Sequence, residues 1–185
     1  MSDFDLTAEE KALLLRLARN EITKNLTGAD EKLVLPREGS IHAHNGAFVT
    51  LHNQGRLRGC IGLFSATQAL HETVCDMAYS AAFKDPRFPP LSAAELSHVD
   101  LEISVLSPLQ KIADINEIEA GNHGLYIVKG FNRGVLLPQV AVEHKWDRFT
   151  FLEQTCYKAG LPGDGWRHGA DIYVFTAVIF GERET

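Results

Sequence analysis

The sequence contains no apolar run of the length that a membrane helix requires. Its longest apolar stretch, residues 174–180, has the length of a β-strand and is interrupted by Thr176, whereas a membrane-spanning helix needs about 20 apolar residues. The first five residues are acidic and lack the basic and then apolar segments of a secretory signal peptide. We therefore expect a cytoplasmic protein that has no membrane partner.

Cysteine is also scarce in this chain. The 185 residues include three cysteines, Cys60, Cys75 and Cys156, and no Cys-x-x-Cys pair. An odd number of widely spaced cysteines favours reduced thiols over a disulfide framework. Because the Cys-x-x-x-Cys-x-x-Cys cluster motif is missing as well, we do not expect the chain itself to be a radical-SAM enzyme.

The chain has fewer basic than acidic residues. The 18 Lys and Arg residues stand against 24 Asp and Glu residues, which gives a net charge of −6. A surface built for phosphate backbones needs an excess of positive charge, and single-stranded nucleic acids also need aromatic side chains interleaved with it. Neither feature is present, so nucleic-acid binding is the weakest of the functions considered for this chain.

The sequence lacks the common cofactor and catalytic motifs. It has no Gly-x-Gly-x-x-Gly, no Walker loop, no His-Glu-x-x-His and no Gly-x-Ser-x-Gly. His42 and His44 supply two possible metal ligands, but spacing places no third ligand beside them. We therefore predict no cofactor and no metal site.

What the chain does contain is a mixture of short strands and a few helices, which is typical of an α+β fold. A first helix is predicted from the capping box at Thr7 and Glu10 to a stop at Gly28, and a second capping box is predicted at Ser65 and Gln68. The other predicted helices cover residues 115–120 and 147–159. The predicted strands cover residues 47–53, 56–63, 99–105, 125–128, 134–137 and 172–180. We predict one domain over residues 1–185, with a mainly antiparallel sheet flanked by helices.

The most unusual segment is the strand Leu57-Arg58-Gly59-Cys60-Ile61-Gly62. In a regular strand, Arg58 and Cys60 point to the same face, and a guanidinium beside a thiol favours the reactive thiolate. Gly59 and Gly62 remove side chains where a ligand or another backbone approaches closely. The alternative is a structural strand with a buried cysteine and glycines that are needed for a bulge.

The turn before this strand decides which residues share a face with Cys60. A two-residue loop at Gln54-Gly55 places Val49 and Leu51 on the face of the thiol. A three-residue loop instead places His52 there, together with Thr50 and Phe48, which would bring a base towards Cys60. The sequence leaves both registers open.

The segment Asp85-Pro86-Arg87-Phe88 is a second candidate site. Its prolines make it stiff, so Asp85 and Arg87 would be presented to a ligand with little loss of entropy on binding. The alternative is a rigid connection between helices in which both side chains satisfy neighbouring backbone groups.

These motifs resemble those of a known family. The segment from Leu57 to Gly62 resembles the six-residue signature of the AMMECR domain family, also called AmmeMemoRadiSam system protein A. Three further segments are similar and lie in the same order, at residues 81–91, 101–106 and 134–141, as does the end of the chain from Trp146 to Ala177. The resemblance covers most of residues 10–181.

The resemblance implies an α+β domain with a smaller lobe that forms a cleft. It also implies a component of a cytoplasmic modification or metabolic system that acts with a Memo-type protein and a radical-SAM protein. His42 and His44 lie outside the family pattern. The motif residues predict Cys60 as the catalytic residue of the site. The residues predicted to bind a substrate or partner are Arg58, Gly59, Gly62, Asp85, Arg87 and Gln139.

Two hypotheses for the function follow. In the first, the chain is an enzyme or enzyme subunit in which Cys60 is a reactive thiol, while Arg58 and Arg87 hold an anionic group of the substrate. In the second, the chain is a binding module without catalysis, and its site takes a small molecule, a peptide or a partner protein.

Overall fold

A computed structural model describes residues 5–183, and within them the chain forms an α+β fold, as predicted. The helices are α1 (Ala8–Thr27), α2 (Leu70–Phe83), α3 (Pro138–Glu143) and α4 (Arg148–Lys158). The strands are β1 (Ala47–Asn53), β2 (Arg56–Leu63), β3 (Val99–Leu106), β4 (Gln110–Ile112), β5 (Gly124–Lys129), β6 (Asn132–Leu136), β7 (Asp171–Phe175) and β8 (Ala177–Gly181). In this described part of the chain, no helix is both long enough and apolar enough to cross a membrane.

The strands form two four-stranded antiparallel sheets, where the sequence predicted one. Their strand orders are β2-β1-β3-β8 and β4-β7-β5-β6. The chain accordingly divides into two compact units. The first unit runs up to Leu106 and resumes at Val178, and the second covers residues 107–177.

In the first unit, alternate residues of the sheet are buried against the helices. Ala47, Val49 and Leu51 of β1 are fully buried in a core to which α1 and α2 also contribute. Because side chains alternate along a strand, Phe48, Thr50 and His52 lie on the opposite, outer face of the sheet.

Helix α1 begins and ends where local chemistry predicts. The Thr7 hydroxyl accepts a hydrogen bond from the Glu10 N–H at 3.1 Å, and the Glu10 carboxylate accepts one from the Thr7 N–H at 2.9 Å. Gly28 ends the helix in the left-handed conformation, with a φ of 78°. The prediction for this helix is confirmed.

Helix α2 begins later than the sequence predicts, at Leu70. The capping box expected at Ser65 is therefore wrong, and the N-cap is Ala69, which has no side-chain acceptor. The Glu72 carboxylate accepts a hydrogen bond from the Ala69 N–H at 3.1 Å, and the Leu70 N–H donates to the Ala43 carbonyl at 2.9 Å. A contact with a distant loop thus helps to set the start of this helix.

The strand predicted at residues 172–180 is two strands that belong to different sheets. The break is at Thr176, whose N–H donates to the Ser107 hydroxyl and whose carbonyl accepts from the Ser107 N–H, both at 2.9 Å. Residues before the break form β7 in the second sheet, and residues after it form β8 in the first sheet.

The second unit has its own core, which includes the buried side chains of Phe151, Leu152 and Cys156 on α4. The prediction of α4 is confirmed, with Asp147 as its N-cap. The predicted helix at residues 115–120 is one short 3-10 turn, Ile115–Glu117. Strand β4 and helix α3 have no counterpart among the predicted elements, because both are too short to show a clear periodicity.

Candidate functional site

The candidate site is organised by the hairpin of β1 and β2. Gln54 and Gly55 form its two-residue turn with φ angles of 52° and 77°, as expected for the turn type that matches strand twist. Asn53 accordingly pairs with Arg56, and His52 with Leu57. Beyond this point the register shifts, and Arg58 is left without an opposite residue in a β-bulge.

The bulge changes the face on which Cys60 lies. Cys60 is opposite Thr50, so it shares the outer face of the sheet with Thr50 and His52. The observed turn is therefore the two-residue loop. Cys60 nevertheless lies on the face of the sheet that the sequence predicted for it only with a three-residue loop. The Thr50 hydroxyl donates to the Cys60 Sγ at 3.2 Å, and Cys60 is half-buried.

Arg58 is buried and pairs with a carboxylate. Its Nε donates to Glu95 Oε1 at 2.7 Å, and its Nη2 donates to Glu95 Oε2 at 3.2 Å and to the Pro89 carbonyl at 3.0 Å. The hydrogen bonds from Arg58 lower the pKa of Glu95 to about 2. The guanidinium that the sequence places beside the Cys60 thiol is therefore engaged by Glu95, which sequence reasoning missed because it lies far along the chain.

Asp85 and Arg87 hold the outer edge of β2 at Cys60. Strand β2 is at the edge of its sheet, so its outward backbone groups face no further strand. The Asp85 carboxylate accepts a hydrogen bond from the Cys60 N–H at 2.9 Å, and Arg87 Nη2 donates to the Cys60 carbonyl at 3.2 Å. Together the two side chains bind both backbone groups of one residue.

The same two side chains also bind each other. Arg87 Nε and Nη2 donate to the two carboxylate oxygens of Asp85 at 2.9 and 2.7 Å. The Asp85 side chain is only 1% exposed, and its hydrogen bonds with Arg87 hold its pKa well below its usual range. A buried carboxylate with such a low pKa is a poor proton acceptor.

The Phe88 ring lies against the two arginines of the site. The guanidinium carbons of Arg58 and Arg87 lie 5.9 and 5.6 Å from the centre of its ring, within the range of cation–π contacts. One aromatic ring therefore contacts both arginines.

The two glycines of the signature accommodate other parts of the same chain. A Cβ on Gly59 would lie 2.2 Å from the carbonyl oxygen of Ala81, near the end of α2. A Cβ on Gly62 would lie 2.2 Å from the ring of Phe48, its partner on β1. Close packing within the first unit thus explains why glycine is needed at both positions.

The predicted site residues do not all lie in one unit. Arg58, Gly59, Cys60, Gly62, Asp85 and Arg87 belong to the first unit, where the contacts above connect them. Gln139 belongs to α3 in the second unit. Its Oε1 is buried and has no hydrogen-bond partner among residues 5–183.

Arg87 and Cys60 are both at least partly open to solvent, and with Thr50 they define what we call the Cys60–Arg87 surface. The Arg87 side chain is 54% exposed, and its Nη1 makes no hydrogen bond within the described part of the chain. Cys60 is half-buried. A guanidinium edge of this kind can bind a carboxylate or a phosphate, and a thiol can act as a nucleophile or redox group.

The remaining histidines and cysteines show other contacts. His42 Nε2 lies 2.8 Å from the Pro36 carbonyl, and its ring packs edge-on against His71 at 5.3 Å. Burial raises the pKa of Cys75 to about 11 and also raises that of Cys156. Across residues 5–183, no group of three or more His, Cys, Asp or Glu side chains is arranged to hold a metal ion.

Comparisons with known proteins place this geometry in a family. The AMMECR1 family model matches residues 15–180. The chain is 39% identical over 190 residues to a protein of Methanosarcina acetivorans, with 97% of this chain and 94% of that one covered. It is 41% identical over 189 residues to Protein MK0488 of Methanopyrus kandleri, with 97% and 91% covered.

A solved structure has the same fold. The crystal structure of uncharacterized protein PH0010 from Pyrococcus horikoshii is similar to this chain with a TM-score of 0.85 at 38% identity. The match covers 96% of this chain and 94% of that one. The similarity therefore extends over both compact units.

Proposed function

The chain belongs to the AMMECR1 family, and from this premise we propose that it is the binding component of a cytoplasmic modification or metabolic system. In this proposal it acts with a Memo-type protein and a radical-SAM protein, as the family resemblance implies. The Cys60–Arg87 surface contacts an anionic group on a partner protein or on a small molecule. Catalysis by the chain itself is not required.

One observation carries this proposal: Arg87 is held in place and yet open to solvent. Three hydrogen bonds to Asp85 and to the Cys60 carbonyl fix its guanidinium, while Nη1 is left for a ligand. A side chain that is already ordered loses little entropy when it binds. The other charged groups, Arg58, Glu95 and Asp85, are engaged with each other or with the backbone.

We expect Arg87→Gln to weaken binding of the purified Memo-type protein, or of the radical-SAM protein, by about tenfold or more. The reason is that a hydrogen bond to a charged group contributes about 1.5–3 kcal/mol. Isothermal titration calorimetry with proteins from the same organism measures the effect. Arg56→Gln, on the same strand and exposed, is the matched control and should bind like the wild type. Equal affinity of all three chains for both partners would contradict the proposal.

A second function, chemistry at the Cys60 thiol, is favoured by a different observation. The Thr50 hydroxyl donates to the sulfur, and the bulge places His52 on the same face of the sheet. In this alternative the Sγ proton passes to the imidazole of His52, and the sulfur forms a bond to an electrophilic carbon of a substrate or partner. The bond from that carbon to its leaving group breaks, and the leaving group takes the proton from His52. Asp85 is unsuited to accept this proton because it binds the backbone N–H of Cys60 and has a lowered pKa.

If this alternative holds, iodoacetamide should alkylate Cys60 of the native protein well below pH 8 while Cys75 and Cys156 remain unmodified. Burial raises the pKa of both other thiols, so they serve as internal controls. Mass spectrometry of peptides after alkylation across a pH series measures each site separately.

Two variants test the neighbours of the thiol. His52→Gln and Thr50→Val should each slow alkylation of Cys60 at pH 7 by several fold without slowing that of the unfolded chain. A Cys60 that is as unreactive as Cys75 would exclude the thiol mechanism and leave the binding function.

A further inference from the structure

A surface groove lies in the first unit between the N-terminal half of α1 and the segment 34–40. Its volume is about 640 Å³, within the range of roughly 300–1,000 Å³ that ligand sites have. Its apolar walls are formed by Leu13 of α1 and by Val34, Leu35 and Pro36. None of the groove residues belongs to the Cys60–Arg87 surface.

The charged residues that line this groove are all acidic, although the exposed Arg37 lies between two of its lining residues, Pro36 and Glu38. Its lining includes the carboxylates of Asp5, Glu9, Glu10 and Glu38 and, among residues 5–183, no lysine, arginine or histidine. Glu10 is buried and engaged, since its carboxylate accepts hydrogen bonds from the N–H groups of Thr7 and Ile41 at 2.9 and 3.3 Å.

The other three carboxylates are available to a partner. Asp5, Glu9 and Glu38 are exposed and form no ion pair with any residue that the structure describes. An anionic occupant of the groove would be repelled by them, and a cationic occupant would be attracted. The groove is therefore complementary to a cation.

The exposed apolar side chains point to a partner with apolar groups as well. Val34 is 88% exposed, and an apolar surface with a charged rim is typical of interaction sites. Lysine and arginine side chains combine both requirements, because their aliphatic stems pack on apolar surface while their charged ends reach carboxylates.

We propose that this groove binds a segment of a partner protein in which a lysine or arginine adjoins an apolar residue. The apolar neighbour packs against Val34 and Leu35, and the charged end meets Glu9 and Glu38. This inference concerns a second surface and is independent of the function proposed for the Cys60–Arg87 surface.

Selection from a library of random linear peptides against the full chain tests the proposal. The selected peptides should share a lysine or arginine beside a large apolar residue. Their affinity, measured by fluorescence anisotropy of labelled synthetic copies, should fall as the salt concentration rises, because exposed charges are screened. Selected peptides without this pattern, or a selection that yields no binder, would overturn the proposal.

Variants locate the binding. The double variant Glu9→Gln/Glu38→Gln should weaken the selected peptides several fold, since exposed ion pairs contribute modestly, and Val34→Ser should weaken them to a similar extent. The matched control Glu143→Gln/Glu153→Gln removes the same charge from exposed positions in the second unit and should leave affinity unchanged. Arg87→Gln should also leave it unchanged, which separates this groove from the Cys60–Arg87 surface. Undiminished affinity of the groove variants would refute the assignment.

Discussion

Replacing Asp85 with alanine is expected to lower the free energy of unfolding by about 1.5–3 kcal/mol, because the Cys60 N–H loses a charged acceptor, whereas the half-exposed Arg87 can be hydrated. In this case the Cys60 N–H loses its acceptor, and the Arg87 guanidinium loses both oxygens that hold it. Chemical denaturation at pH 7, followed by circular dichroism, measures the loss. Arg87→Gln should cost less, since the Arg87 side chain is half exposed. An unfolding free energy equal to that of the wild type would contradict the role assigned to Asp85.

The same carboxylate makes stability depend on pH in a defined direction. The folded-state pKa of Asp85 is lowered from 3.8, so its contribution is present above that value and is lost as the pH falls below it. Asp85→Asn, the conservative variant, should lack this part of the acid sensitivity. It should retain the part that comes from Glu95, whose pKa is lowered from 4.5 to about 2 and whose contribution is lost between those two values.

Gly59→Ala is expected to lower the free energy of unfolding by about 3 kcal/mol, at the upper end of the usual cost of overpacking. The added Cβ would lie 2.2 Å from the Ala81 carbonyl oxygen. The position of a Cβ is fixed by its backbone and the oxygen is itself a backbone atom, so neither can turn away as a flexible side chain would. Gly181→Ala is the comparison in the same sheet and should cost less, because its Cβ would lie 3.1 Å from the Leu101 carbonyl oxygen, a tight contact that a shift of a few tenths of an ångström relieves. Thermal and chemical denaturation of both variants measure the difference. Equal stability of the two would show that strand β2 can move away from α2 at little cost.

The elements that the sequence predicts well are those whose signals are local. Helix α1 carries its capping box and its glycine stop within its own sequence, and Asp147 marks the start of α4 in the same way. The hairpin strands β1 and β2 have their predicted bounds because Gln54 and Gly55 suit the turn between them.

The predictions that fail depend on contacts between distant residues. A capping pattern at Ser65 cannot show that the chain bonds to Ala43 before the helix begins. An apolar run through Thr176 likewise cannot show that the residues before it and the residues after it belong to different sheets. Such features are decided by tertiary contacts that outweigh local preference.

The same contrast between local signals and contacts of distant residues applies to the candidate site. The sequence singles out Arg58, Cys60, Asp85 and Arg87 but not their partners. It allows for a bulge in this strand, but a period-two pattern does not show that the bulge falls at Arg58 and so turns Cys60 towards Thr50. The observed hydrogen bonds match the alternative in which Asp85 and Arg87 satisfy backbone groups. They also leave Nη1 of Arg87 without a hydrogen bond among residues 5–183, and the binding role proposed above rests on this group.

The division of the last apolar run at Thr176 has a consequence for the order of events during synthesis. Strand β8 pairs with β3 in the first sheet, yet the ribosome makes it after the whole second unit, residues 107–177. While the chain emerges, β1, β2 and β3 are available early, and the edge of β3 that β8 will cover stays open until the last strand has left the exit tunnel. An unpaired strand edge is a template for pairing with other chains. The nascent protein is therefore exposed to misassembly until β8 has emerged and pairs with β3.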